Sequence, residues 1–101
     1  MLRITEISDD GEEIVMKLEG KVIGVWVDDL KRVCLFHRDE RNRAVVLDFS
    51  GVTFVEARGL EMLKDLKGDR VRIVNCSPFI NSLLSRFIKR DDDNNNNQNG
   101  H

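Results

Sequence analysis

An α/β fold with a small mixed β-sheet covered by helices is predicted for this chain, in the order β-β-α-β-α-β-α. Three observations carry that expectation. Residues 44–49 (AVVLDF) and 70–76 (RVRIVNC) are nearly continuous apolar runs, of the kind buried on both faces of a sheet. Stretches of helical period separate the strands, which implies parallel pairing through right-handed crossovers. Two alternating stretches at the N-terminus add an antiparallel pair at one edge.

Taken in order, residues 2–8 (LRITEIS) mix β-branched and polar types, and residues 13–19 (EIVMKLE) alternate cleanly. Ile14, Met16 and Leu18 fall on one face of the second strand, with Val15, Lys17 and Glu19 on the other. Asp10-Gly11 between them is a tight-turn pair, so the two form a hairpin, and Gly20 closes the second strand. From about Trp26 the period changes. Trp26, Val27, Leu30, Val33, Cys34 and His37 recur at helical spacing, opposite Asp28, Asp29, Lys31, Arg32 and Arg38. Acids come early and bases late, as the helix dipole favours. Residues 38–43 (RDERNR) read as a loop before the strand at 44–49, with Asp48 at its end. A second helix follows Glu56, Gly68-Asp69 makes a turn, and the strand at 70–76 leads to Ser77-Pro78. Ser77 can cap the last helix and Pro78 suits its first position. Phe79, Ile80, Leu83, Leu84, Phe87 and Ile88 form the stripe that packs this helix on the sheet.

At 101 residues the chain makes one domain, over 1–90. Residues 91–101 (DDDNNNNQNGH) contain no hydrophobe and read as a disordered tail. A formal net charge of -2, with 34% of residues charged in mixed sign, lacks the basic excess of a nucleic-acid binder. No apolar run approaches the ~20 residues that span a membrane, so no direct membrane insertion is expected. The opening residues lack the basic start and apolar stretch of a signal peptide, which points to the cytoplasm.

Catalytic chemistry is not visible. Cys34 and Cys76 stand alone without CxxC spacing, and with only His37 and His101 beside them they make no metal site. They read as reduced thiols used as small hydrophobes. Ser8, Ser50, Ser77, Ser82 and Ser85 sit in no nucleophile elbow, and the seven glycines form no phosphate loop. Asp48 has no histidine, lysine or metal group beside it in sequence. A non-enzymatic binding module with no cofactor is expected.

The residues that carry a resemblance are 45–66 (VVLDFSGVTFVEARGLEMLKDL) and 71–84 (VRIVNCSPFINSLL), with Leu18-Glu19-Gly20 before them. Over roughly residues 2 to 88 the chain resembles a STAS domain, the fold of anti-sigma-factor antagonists. The resemblance implies a turn that normally reads Asp-Ser-Ser-Gly-Leu, in which the serine before the glycine is phosphorylated by the partner kinase, itself the anti-sigma factor. Here the acid is Glu56, the first serine position is Ala57 and the phosphorylated position is Arg58, while Gly59 and Leu60 match. Ala57 and Arg58 therefore make a degenerate phosphorylation site. No hydroxyl remains, and Arg58 adds positive charge where a phosphate would add roughly -2.

In the resembled family this turn and the helix after it form the partner-binding surface, which implies Glu56, Ala57, Arg58, Glu61, Met62 and Asp65. The helical angle puts Leu60, Leu63 and Leu66 on the sheet, and Arg58, Glu61 and Asp65 opposite, with Met62 at the border. Thr53 and Glu56 also fit a capping-box spacing, and capping does not exclude partner binding. The partner implied is an anti-sigma factor of the kinase-like type, or a signalling or transport ATPase. The second of these makes the chain a cytoplasmic STAS subunit of a transporter, for example a lipid-transport ABC system. A nucleotide or small-ligand role, phosphorylation at Ser50 or Thr53 and a homodimer stay open.

Overall fold

Asp9 and Asp10 shape the first turn. The Asp9 carboxylate accepts the Gly11 N–H at 3.0 Å, and Asp10 accepts those of Glu12 and Glu13 at 2.9 and 2.8 Å. Those backbone donors hold the Asp10 carboxyl below the usual carboxylate range. β1 (Leu2–Asp9) thereby folds back antiparallel on β2 (Glu13–Val22). The computed structural model describes residues 1–86. Phe87, Ile88 and the predicted tail at 91–101 lie outside them.

The sheet has four strands in the order β1-β2-β3-β4, with β3 (Ala44–Val55) and β4 (Val71–Val74) each parallel to its predecessor. α1 (Val25–Leu35) crosses from β2 to β3, and α2 (Ala57–Leu66) crosses from β3 to β4. A third helix, α3, covers 78–86. This is the mixed sheet and element order that the patterning predicts.

Both crossovers step in the same direction along the sheet, so right-handed connections put α1 and α2 side by side on one face. They also start both helices at the carboxyl ends of the parallel strands. Ile14, Met16 and Leu18 of β2 join Val45, Leu47 and Phe49 of β3 in one core with Leu30 of α1, Leu63 of α2 and Ile80 of α3. The opposite face carries polar groups. Lys17 pairs in register with Asp48, and an ion pair of 3.7 Å between Arg72 and Glu13 crosses β3 there. Val46 is buried on that face but stands outside the main cluster, so β3 is covered by helices on one side only among the described residues.

The structure differs from the sequence reading at several points. β3 runs on to Val55 where the apolar run stops at Phe49, because the chain resumes pairing with β2 at Gly51 after an irregularity at Phe49-Ser50. Asp48 therefore lies inside the strand. Its carboxylate accepts the Ser50 N–H at 2.9 Å, and that bond draws its pKa down. β4 is shorter than 70–76, since Arg70 and Asn75 at its ends take positive φ angles of 63° and 59°. The predicted loop at 38–43 begins with a π-helical turn, Phe36–Glu40, that continues α1. In α3, Ser77 caps as expected, its hydroxyl accepting the Ile80 N–H at 3.2 Å, and Ile80 and Leu84 are buried. Phe79 is exposed instead of packed.

Candidate functional site

The turn between β3 and α2 is built at the carboxyl end of the sheet. Val55 pairs in register with Val22, and the Glu56 N–H donates to the Val22 carbonyl at 3.1 Å. Glu56 holds the N-cap position in extended geometry, and Leu60 N–H closes the first helical bond onto the Glu56 carbonyl at 3.0 Å. Gly59 then sits against the sheet. A Cβ there would lie 2.9 Å from Val55 Cγ1 and 3.2 Å from Val22 Cγ1, so only glycine lets α2 come this close.

The side chains of this turn reach the start of α1. Gly24, at φ 55° and ψ -135°, is the N-cap residue of α1 and makes no side-chain cap bond. Its N–H donates to Glu56 Oε2, and its carbonyl accepts Arg58 Nη2 at 2.9 Å. The Arg58 guanidinium also straddles the Asp28 carboxylate, with contacts of 3.4 Å to Oδ1 and 3.3 Å to Oδ2. Arginine at the second position of α2 meets the positive end of that helix dipole, which costs a few tenths of a kcal/mol. The Asp28 carboxylate offsets this.

Each predicted site residue can now be placed. Arg58, Glu61 and Asp65 are exposed along α2, and Ala57 is exposed at its start. They share a shallow groove of about 200 Å³ with Val27, Asp28 and Lys31 of α1, although Ala57 does not line it. Two expectations need correction. Glu56 makes no capping box: Thr53 lies inside β3, its hydroxyl donating to the Gly20 carbonyl at 3.3 Å, and the Glu56 carboxylate serves α1 instead of its own helix. Met62 is not an open contact residue. At 8% exposure it belongs to the core cluster, because α1 lies along that border of α2, and only its edge reaches the groove.

The sequence reading missed Gly24, Asp28 and Lys31. Asp28 was visible as a first-turn acid of α1, but its meeting with Arg58 depends on α1 and α2 being neighbours. The shared crossover direction was the available signal. Exposed apolar groups also gather at this end: Val25, 68% exposed, follows Gly24, and Phe54, 40% exposed, precedes the turn by two residues.

The hydroxyls nearest the turn in sequence are those of Thr53, bonded to Gly20, and Ser50, whose N–H donates to Asp48. Among the described residues no group of three His, Cys, Asp or Glu side chains could hold a metal ion, and no helix is long and apolar enough to cross a membrane.

Known proteins share this fold. A family model described as STAS domain matches residues 3–92. Among solved structures, the anti-sigma factor antagonist SpoIIAA in its unphosphorylated form superposes with a TM-score of 0.67, at 12% identity, over 82% of this chain and 82% of that one. No curated protein matches the sequence.

Proposed function

We propose that this chain, which belongs to the STAS domain family, is a non-catalytic protein-interaction module of the anti-sigma-factor-antagonist type, acting in the cytoplasm by binding rather than by turnover. Its contact surface is the β3–α2 turn with the exposed face of α2: Glu56, Ala57, Arg58, Glu61 and Asp65, with the edge of Met62. Arg58 carries the reading. It stands at the second residue of α2, at the lip of the sheet, with Val25 and Phe54 exposed in the neighbouring segments. Apolar groups around a charged centre are what a protein partner can bury. The solved relative is named an anti-sigma factor antagonist, which favours a kinase-like anti-sigma factor as that partner and regulation of transcription as the outcome.

A module built this way binds without a phosphate switch at its turn. Neither Ala57 nor Arg58 offers a hydroxyl to a serine kinase, so ATP should leave the complex intact. Calorimetric titration with a purified histidine-kinase-like anti-sigma factor encoded beside this gene, with and without ATP, tests this when followed by intact-mass analysis. The expected result is one affinity in both conditions and no added phosphate. A stoichiometric phosphate on Ser50 or Thr53, with affinity lost, would show that the switch has moved along the chain. Binding to a neighbouring ABC ATPase, and none to the kinase-like protein, would replace this reading with that of a transporter subunit.

A further inference from the structure

Gly24 joins β2 to α1 with a positive φ of 55° and has open space around its Cα, so nothing in its own packing fixes the direction in which α1 departs. Both of its backbone polar groups are held from the opposite turn. Glu56 accepts its N–H and Arg58 donates to its carbonyl, while Val27 N–H supplies that oxygen with a local bond of 3.1 Å. Arg58 then continues to Asp28, in the first turn of α1. Two residues of one turn thus bracket one glycine of another, more than thirty positions away in sequence.

We infer that Glu56 and Arg58 are positioning residues that clamp Gly24, fixing the start of α1 against the start of α2 and presenting the partner with a preset two-helix edge that includes Asp28. The inference rests on the interaction surface proposed above and names what sets its shape. Charge arranges the clamp. Arg58 faces the Asp28 carboxylate across the two helix starts, while the Glu56 carboxylate holds the N–H side of Gly24. An anion at position 58 would meet the like charge of Asp28 and lose the bond to the Gly24 carbonyl. Opposite charges at close quarters draw the helix starts together, and like charges separate them. The link is exposed, with Arg58 55% and Asp28 66% accessible, so it sets geometry more than stability.

Amide hydrogen exchange followed by NMR on the full chain reads the clamp without any partner. Glu56→Ala should speed exchange at Gly24 by about tenfold, the factor that corresponds to losing one charge-assisted bond of roughly 1.4 kcal/mol. Arg58→Asp should speed exchange at Trp26 and Val27 by roughly threefold, within the range of an exposed ion pair. The double variant Arg58→Asp with Asp28→Arg restores the opposite charges and should bring those rates back to within about twofold of the parent. Unchanged exchange at Gly24, Trp26 and Val27 in both single variants would overturn the clamp. Affinity for the partner is measured on the same proteins. If exchange quickens and is rescued while affinity never changes, the clamp stands and the interaction surface proposed above is what fails.

Discussion

At Gly59 a single methyl group decides how α2 meets the sheet. In an open helix, alanine is favoured over glycine by about 1 kcal/mol, so Gly59→Ala would ordinarily stabilise. Here the added carbon would sit 2.9 Å from Val55 Cγ1 and 3.3 Å from the Val22 carbonyl oxygen. Val55 is a buried β-branched side chain with little freedom to turn, and the Val22 oxygen belongs to the backbone. Overpacking of this kind costs roughly 1–3 kcal/mol and outweighs the helical gain. We expect a net loss of about 1 kcal/mol, a fall in melting temperature of about 4–8 °C for a domain this size, measured by thermal unfolding followed by circular dichroism. An unchanged or raised melting temperature would mean that α2 can back away from the strands. Arg58 shows a different limit of reading one residue at a time. Its exposure was legible from helical angle, but its partners were not, since Gly24 and Asp28 precede it by 34 and 30 positions.

Along each element, the period of the sequence settled the faces and the long-range neighbours settled the exceptions. Ile14, Met16 and Leu18 are buried as alternation requires, and so are Leu60, Leu63 and Leu66 of α2. Met62 departs because a second helix covers its side, which no periodicity within α2 encodes. The upper half of β3 was missed for a related reason: Ser50-Gly51 interrupts the apolar run, Gly51 is a poor strand former, and it is pairing of Gly51, Val52, Phe54 and Val55 with β2 that carries the strand on. Phe79 occupies an apolar position of its helix, yet it stands at the first turn, where the chain is still rising from β4, and stays exposed. The two faces of α2 should separate experimentally. Leu63 is fully buried, so Leu63→Ala opens a cavity and should cost about 2–5 kcal/mol in urea denaturation. Glu61→Ala, on the exposed face, should stay within about 0.5 kcal/mol of the parent. Similar losses for the two would show that the face assigned to solvent is structural.

For the molecule as a whole, the parallel strands give the sheet two unlike ends. The carboxyl end carries the turn with its exposed apolar groups. The amino end is tied by ion pairs between neighbouring segments, with Arg38 at 3.1 Å from Asp69 and Arg43 at 2.8 Å from Asp9. Between them lies one core, and a titratable group is sealed inside it. Cys34 of α1 is fully buried, and desolvation, opposed only in part by the charge of Arg38, pushes its thiol up to about 12 from an ordinary value near 9. Below pH 9 the thiol is protonated whether the chain is folded or not, and its contribution to stability is complete. Above pH 9 the unfolded chain releases the proton while the folded one keeps it. Stability should then fall by about 1.4 kcal/mol per pH unit until the folded pKa is reached. Lysines also titrate in that range, so the thiol is isolated by comparison with Cys34→Ala, which has a weaker core but no such slope. Urea denaturation near pH 8 and near pH 10.5 should show the parent losing about 2 kcal/mol more than the variant between the two conditions. Parallel losses in the two proteins would mean that the thiol ionises in place, and that solvent reaches the interior between α1 and the sheet.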